Sequence, residues 1–354
     1  MPETKIVKIN PLYSDDAAIK QAADILKNGG LVIVPTETVY GIAANMRDSK
    51  AMERLSNIKQ RQDNKKPYSI IVSSKESIEK YAVDVPISAY KLADKFWPGP
   101  LTIVLKSSKT ETIGLRMPDN DITLRIISET GLSLACPSAN LPGEPAPVNF
   151  EEAINGLNGL VDMAIDAGPS RIGIESSVVG LTADTPVLFR EGAIAKDIIL
   201  KEAAKKIVLF VCTGNSCRSV MAEALFKKKL EESGRRDIEV FSAGITALCG
   251  MSATQATKEV LNAEGIDVSS HRSRIVTPIM VKKSDFILVM EDLHEERILG
   301  IAPEIKNRVF LLKEFAKIGG NDLNIPDPIG GSMELYKETL FVIKEAVERI
   351  IKLI

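Results

Sequence analysis

Cys212 and Arg218 frame the segment Cys212-Thr213-Gly214-Asn215-Ser216-Cys217-Arg218-Ser219, which follows the apolar run Ile207-Val208-Leu209-Phe210-Val211. A thiol and a guanidinium separated by five loop residues are the parts of a phosphate-handling nucleophile. A strand that enters a glycine-bearing turn and then a helix points several backbone N–H groups at one spot, and the positive helix end adds to them. The same field stabilises negative charge on the Cys212 sulfur, and Arg218 is able to hold two oxygens of a transferring phosphoryl group. Attack by Cys212 would give a phosphocysteine. A bare C-x5-R occurs by chance with a buried cysteine and a surface arginine; the strand-loop-helix setting separates this one from that background.

The reaction also needs an acid for the leaving atom. Asp327 lies in Ile325-Pro326-Asp327-Pro328-Ile329-Gly330-Gly331, a loop stiffened by two prolines. Asp before Pro is also common in plain turns. Here an amphipathic pattern follows, with Leu340, Ile343, Val347, Ile350 and Ile354 at helical spacing, and the docked helix should hold the loop in place.

Residues 206–354 resemble a low-molecular-weight protein tyrosine phosphatase, including the arginine phosphatases of that family. Besides residues 212–219 and Asp327-Pro328, the match includes Ser242-Ala243-Gly244, Gly265-Ile266-Asp267, Ser270-His271-Arg272-Ser273-Arg274 and Asp285-Phe286-Ile287-Leu288-Val289-Met290. The resemblance implies that Asn215, Ser219 and Ser242 shape the loop by hydrogen bonds and that His271 supports it from behind. It makes Ser216 the specificity position. Tyrosine-directed relatives carry a bulky aliphatic residue there and arginine-directed ones threonine, so Ser216, which keeps the hydroxyl, points toward phosphoarginine over phosphotyrosine. Val220 departs from the family's usual proline, and Ile329 from a frequent aromatic beside the substrate slot. An arsenate-reducing chemistry would need a further redox cysteine pair downstream, where only Cys249 stands. Cys217 either caps an oxidised Cys212 or packs within the loop. No cofactor is expected for this half.

The preceding residues carry their own punctuation. A helical pattern over 15–27 ends at Gly29-Gly30, and Leu31-Val32-Ile33-Val34 reads as a buried strand running into the hydroxyl-rich Pro35-Thr36-Glu37-Thr38-Val39-Tyr40-Gly41. Lys59, Arg61, Lys65 and Lys66 cluster on or after a helix, where they would draw in a polyphosphate or form a solvated face. Trp97 sits in a Pro-Gly turn before the strand Thr102-Ile103-Val104-Leu105. Then come Leu115-Arg116-Met117-Pro118, Ala135-Cys136-Pro137-Ser138-Ala139-Asn140, Gly173-Ile174-Glu175-Ser176-Ser177-Val178-Val179 and Leu188-Phe189-Arg190-Glu191-Gly192-Ala193.

In this order these segments resemble the YrdC-type threonylcarbamoyl-adenylate synthase domain, from about residue 5 to 200. The resemblance implies condensation of threonine, bicarbonate and ATP into threonylcarbamoyl-adenylate and pyrophosphate, for modification of tRNA. It assigns Thr36, Ser176 or Ser177 and Arg116 to threonine, with Arg116 reaching its carboxylate or the carbamate. It assigns Lys59, Arg61, Ser138, Asn140 and Arg190 to ATP, with Mg2+ accompanying the nucleotide. Fixed cations and a magnesium ion would lower the cost of the charge that develops at the α-phosphate. Gln62 and Ser177 depart from the usual proline and threonine. An alternative makes this half a non-catalytic RNA- or nucleotide-binding module.

These assignments imply two α/β domains. One, at 1–200, is built on a twisted mixed sheet; the other, at 206–354, is a doubly wound parallel sheet with its active loop after the first strand, and a short helical connector covers 194–206. The chain's 354 residues are enough for two separate cores. A net charge of −2 argues against nonspecific clamping of nucleic acid, leaving tRNA or the tRNA-modifying complex as partners of a local patch and a phosphoprotein as the partner of the second half. Four cysteines, one a candidate nucleophile, indicate a reducing compartment, and no segment has the length of a membrane span or the core of a signal peptide. The expectation is a cytoplasmic, bifunctional enzyme with no protein-held metal.

Overall fold

The computed structural model describes residues 3–10, 15–60, 67–320 and 322–354. The chain divides into two compact units, Met1–Ala203 and Ala204–Ile354. A helix, Lys196–Ala204, lies at the division.

Among the described residues, unit 1 contains strands β1 (Lys5–Lys8), β2 (Leu31–Val34), β3 (Gly41–Asn45), β4 (Ile70–Ile71), β5 (Leu101–Lys106), β6 (Thr112–Arg116), β7 (Leu134–Ala135), β8 (Met163–Asp166), β9 (Ser177–Gly180) and β10 (Val187–Arg190). They form one sheet in the order β1-β8-β2-β3-β7-β4-β6-β5-β9-β10. It is mixed: β2 runs parallel to β8 and antiparallel to β3, and β5 runs parallel to β9 and antiparallel to β6. The Leu-Val-Ile-Val run of β2 is buried throughout because both faces are covered. Leu31 and Ile33 enter one core, with Tyr40, Leu55 and Phe150, while Val32 and Val34 enter the other, with Leu26, Ile122 and Ile126. The helix Asp16–Lys27 supplies Leu26, and Asp15 caps it by accepting from the Ala18 N–H at 2.9 Å.

Unit 2 has four strands among the described residues, β11 (Lys206–Cys212), β12 (Ile238–Gly244), β13 (Phe286–Val289) and β14 (Val309–Leu311), all parallel and ordered β12-β11-β13-β14. Alternate residues of β11 again feed two cores. Val208 and Phe210 face Met221, Leu225, Leu340 and Ile343, whereas Ile207, Leu209 and Val211 face Val281, Ile298 and Ile305. Helices therefore cover both faces of a doubly wound sheet. The final helix, Met333–Ile350, buries Leu340, Ile343, Val347 and Ile350 as the spacing predicts. Ile354 is a correction: it lies beyond the helix end and packs on the same core from the terminal turn.

In that strand order the chain leaves β11 toward β12 on one side and β13 on the other. The carboxyl end of β11 is thus the switch point at which an open α/β sheet leaves a crevice. Cys212 is the last residue of β11.

Candidate active sites

In unit 2 the loop after β11 turns directly into the helix Arg218–Glu232, the strand-loop-helix arrangement in which backbone N–H groups and a helix N-terminus serve an anion. Asn215 is the pivot. It is fully buried, takes a left-handed backbone at φ 52°, and is bonded at each of its polar side-chain atoms. Its Nδ2 donates to Ser219 Oγ at 3.0 Å and Ser242 Oγ at 2.7 Å, and its Oδ1 accepts from the Arg274 N–H at 2.9 Å. Its carbonyl accepts from His271 Nε2 at 2.9 Å.

Counting protons along this chain gives it a direction. Ser242 spends its hydrogen on Glu223 Oε2 at 2.5 Å, so it accepts from Asn215. Ser219 also accepts from Asn215, which leaves its own hydrogen for Cys212 Sγ, 3.0 Å away. One branch, Asn215 to Ser219 to Cys212, therefore ends on the nucleophile, and the other, Asn215 to Ser242 to Glu223, anchors the loop from behind.

Arg218 is 1% exposed and held by two carboxylates. Nη1 donates to Glu291 Oε2 at 2.6 Å and the Ile325 carbonyl at 2.7 Å, and Nη2 donates to Asp327 Oδ2 at 2.6 Å. Its Nε has no hydrogen-bond partner among the described residues. Asp327 is therefore within reach of the loop, and its other oxygen accepts from the Ile329 N–H at 3.2 Å. Ile329 is 60% exposed. Ser216 is half-buried with its carbonyl accepting from the Thr254 N–H at 3.1 Å. Cys217 is buried in the core, its sulfur 3.6 Å from the Tyr336 hydroxyl, and all four cysteines are free.

Glu291 and His294 belong to this cluster and carry no motif signal of their own. Glu291 follows β13 by two residues, and the parallel pairing of β13 with β11 puts it at the same carboxyl edge of the sheet as Cys212. His294 is fully buried with Nε2 3.0 Å from Thr213 Oγ1. Burial and then the Arg218 guanidinium push its pKa down to about 4, against the opposing Glu291 and Asp327 charges, so the ring is neutral at pH 7.

In unit 1 a cavity of about 350 Å³ brings together Thr36, Lys59, Arg116, Ser138, Ser176 and Arg190. Lys59 caps the helix Ser49–Ile58 and donates to the Asn140 carbonyl at 2.7 Å, the Ser138 carbonyl at 3.1 Å and Asn140 Oδ1 at 3.1 Å. Ser138 Oγ donates to the same Oδ1 at 2.6 Å. Opposite, Arg116 ends β6, where Nη2 donates to Thr38 Oγ1 at 2.8 Å and lies 2.8 Å from Glu37 Oε1. Glu37 is buried, so Arg116 is a cation with a fixed counter-charge. Thr36 folds the loop by donating to the Val39 carbonyl at 2.6 Å. Gly41 is required there: a Cβ would lie 2.5 Å from Cys136 Sγ. Burial pushes the Cys136 thiol up to about 12, with Arg116 opposing, so it lines the cavity as a neutral wall.

Ser176 and Arg190 meet at the third wall, where Nη2 donates to Ser176 Oγ at 3.2 Å and Nε to the Ser176 carbonyl at 3.0 Å, with Nη1 on Glu175. Ser177 is not brought to the cavity. Its hydroxyl is fully buried, donating to the Ile194 carbonyl at 2.6 Å and accepting from the Gly192 and Ile194 N–H groups at 3.0 Å, which braces the loop behind Arg190. Arg61, with Lys65 and Lys66, lies outside the described residues. Tyr68, Glu175 and Phe189 line the cavity without having been singled out beforehand. Trp97 packs in the interior, donating from Nε1 to the Leu101 carbonyl at 2.7 Å.

Fold and sites define a two-unit α/β protein: a mixed-sheet unit with a cation-lined cavity, then a doubly wound unit with a thiol and guanidinium loop. A family model described as telomere recombination, for the Sua5/YciO/YrdC domain, matches residues 24–192, and one described as low molecular weight phosphotyrosine protein phosphatase matches residues 207–354. Over 203 residues, 54% of this chain, unit 1 is 38% identical to a threonylcarbamoyl-AMP synthase relative in Methanocaldococcus jannaschii, covering 95% of it. Over 143 residues, 40% of this chain, unit 2 is 37% identical to a protein-arginine-phosphatase of Geobacillus stearothermophilus, covering 92% of it. Among solved structures, a variant of Pyrococcus abyssi Sua5 aligns with TM-score 0.53 at 25% identity, covering 87% of this chain and 98% of that one. The chain belongs to the Sua5/YciO/YrdC family through its first unit and to the low-molecular-weight phosphatase family through its second. It spans only 57% and 56% of the threonylcarbamoyl-AMP synthases of Bacillus subtilis and Pyrococcus abyssi that it matches.

Proposed function

We propose that the chain is a bifunctional enzyme in which unit 1 makes threonylcarbamoyl-adenylate and unit 2 removes phosphate from protein phosphoarginine. The relatives named as threonylcarbamoyl-AMP synthases and protein-arginine-phosphatase support both halves. The observation that carries the first half is the single cavity holding Thr36, Arg116 and Ser176 beside Lys59, Ser138 and Arg190. Threonine's amine adds to bicarbonate with loss of water, giving a carbamate. A carbamate oxygen attacks the α-phosphorus of ATP, and pyrophosphate leaves. Arg116 and Ser176, with Thr36 shaping the loop, hold the threonine side; Lys59, Ser138, Asn140 and Arg190 hold the nucleotide side. Arg61 completes that set by resemblance.

The described residues contain no cluster of three or more His, Cys, Asp or Glu fit for a metal ion, and Glu175 in the cavity is already paired with Arg190. That donor set suits a Mg2+ carried on the phosphates. Pyrophosphate release from ATP that requires threonine and bicarbonate together is the test. Release without threonine, or none at all, rejects this half and favours an RNA- or nucleotide-binding role.

In unit 2, Cys212 attacks the phosphorus, the P–N bond breaks, and Asp327 supplies the proton to the departing guanidine nitrogen. Water then attacks the phosphorus with Asp327 taking its proton, the S–P bond breaks, and inorganic phosphate leaves as the Cys212 sulfur is restored. The donor chain from Asn215 through Ser219 to Cys212 Sγ carries this reading. The Ser216 hydroxyl favours a guanidinium over an aromatic ring, while Ile329, in place of an aromatic, does not add to that choice. Phosphoarginine and phosphotyrosine peptides compared on the full chain decide it, a preference for phosphotyrosine reversing the assignment. The described residues include no helix long and apolar enough to cross a membrane. Four free cysteines suit a reducing compartment, and the proposed setting is the cytoplasm, where tRNA and phosphoproteins are partners.

A further inference from the structure

The edge strand β10 contains a bulge beside the cavity. Val187 pairs with Gly180 and Leu188 with Val179, but Val178 pairs with Arg190, so Phe189 is the extra residue. Neighbouring side chains on a regular strand point to opposite faces; a bulge breaks that rule and re-aims one of them. Phe189 and Arg190 consequently both line the cavity.

The ring has a prepared seat. A Cβ at Gly180 would stand 2.5 Å from Phe189 Cζ and 2.6 Å from Cε2, so the ring rests where only glycine leaves room. It is nevertheless 60% exposed, whereas Tyr40 and Tyr68, the other rings lining the cavity among the described residues, are 0% and 7% exposed. Every residue assigned above to ATP is charged or polar and suits the phosphates. None of them offers the base a flat apolar face, and Phe189, exposed one residue from Arg190, supplies one.

We propose that Phe189 is the platform on which the purine of ATP stacks, the bulge and Gly180 being the devices that present it. This rests on ATP being the nucleotide of unit 1. Calorimetric titration of the full chain with ATP and with inorganic tripolyphosphate, which lacks a base, tests it. Phe189→Ala should weaken ATP about tenfold and Phe189→Tyr by less than about twofold, with tripolyphosphate unchanged in both. Gly180→Ala should copy Phe189→Ala by pushing the ring aside. In turnover, KM for ATP should rise while KM for threonine holds.

Equal loss of ATP and tripolyphosphate would overturn the proposal, because Phe189 would then only brace Arg190. Unchanged ATP binding with weakened tRNA retention would overturn it in favour of an RNA base. Wild-type chain that binds ATP but releases no pyrophosphate rejects the synthase reading, while the comparison of ATP with tripolyphosphate still decides the role of the ring.

Discussion

Arg218 Nη2 holds Asp327 Oδ2 at 2.6 Å, so the loop's cation and the proposed acid are each other's partner before any phosphate arrives. An incoming phosphoryl group must take that guanidinium edge and displace the carboxylate toward the leaving atom. Asp327→Asn should therefore lower phosphatase kcat by roughly 10²- to 10⁴-fold. The same change should tighten inhibition by inorganic phosphate, because the competing carboxylate charge is gone. Weaker phosphate inhibition would show that the pair assists anion binding.

Glu291 keeps a hold on the opposite edge of Arg218 at 2.6 Å when Asp327 lets go. Glu291→Gln should leave the fold intact and reduce kcat/KM about tenfold through a less firmly aimed guanidinium. The measurement is steady-state hydrolysis of a phosphoarginine peptide, with pyrophosphate release by unit 1 as the internal control.

His294 makes stability depend on pH in a definite direction. Its pKa is about 4 when folded and near 6.5 when unfolded, so between those values the unfolded chain binds a proton that the folded chain does not. Its contribution to the stability of unit 2 is therefore full above pH ~6.5 and is lost as the pH falls toward ~4, by up to about 3 kcal/mol. Urea unfolding of wild type and His294→Leu across this window checks it, the expected result being a smaller slope in the variant.

Gly244 closes the loop from below. A Cβ there would lie 2.6 Å from the Thr213 carbonyl and 2.9 Å from the Asn215 nitrogen, both backbone atoms that have little freedom to move. Gly244→Ala should abolish phosphatase activity and lower the melting temperature of unit 2, with threonine-dependent pyrophosphate release unchanged.

The parts legible beforehand were those in which one residue type has one physical use. Leu31–Val34 and Ile207-Val208-Leu209-Phe210-Val211 read as strands because continuous apolar, largely β-branched runs are stable only with both faces covered. The meeting of Arg218 and Asp327 was legible because a phosphate-holding cation and an acid for the leaving atom need one another. Ser177 was not, since Ser176 and Ser177 are identical in type and only the register of β9 decides which hydroxyl meets Arg190. Phe189 was hidden for a related reason: its facing depends on a one-residue irregularity that alternation conceals. Glu291 and His294 arrive by topology alone, through the adjacency of β13 and β11.

Asn215 leaves almost no room for variation. Its left-handed backbone admits glycine, asparagine or aspartate without much strain. Glycine would silence all three side-chain bonds, and aspartate would turn an acceptor toward Ser219 and Ser242, where a double donor now stands. A saturation library at this codon, selected for dephosphorylation, should return a single letter.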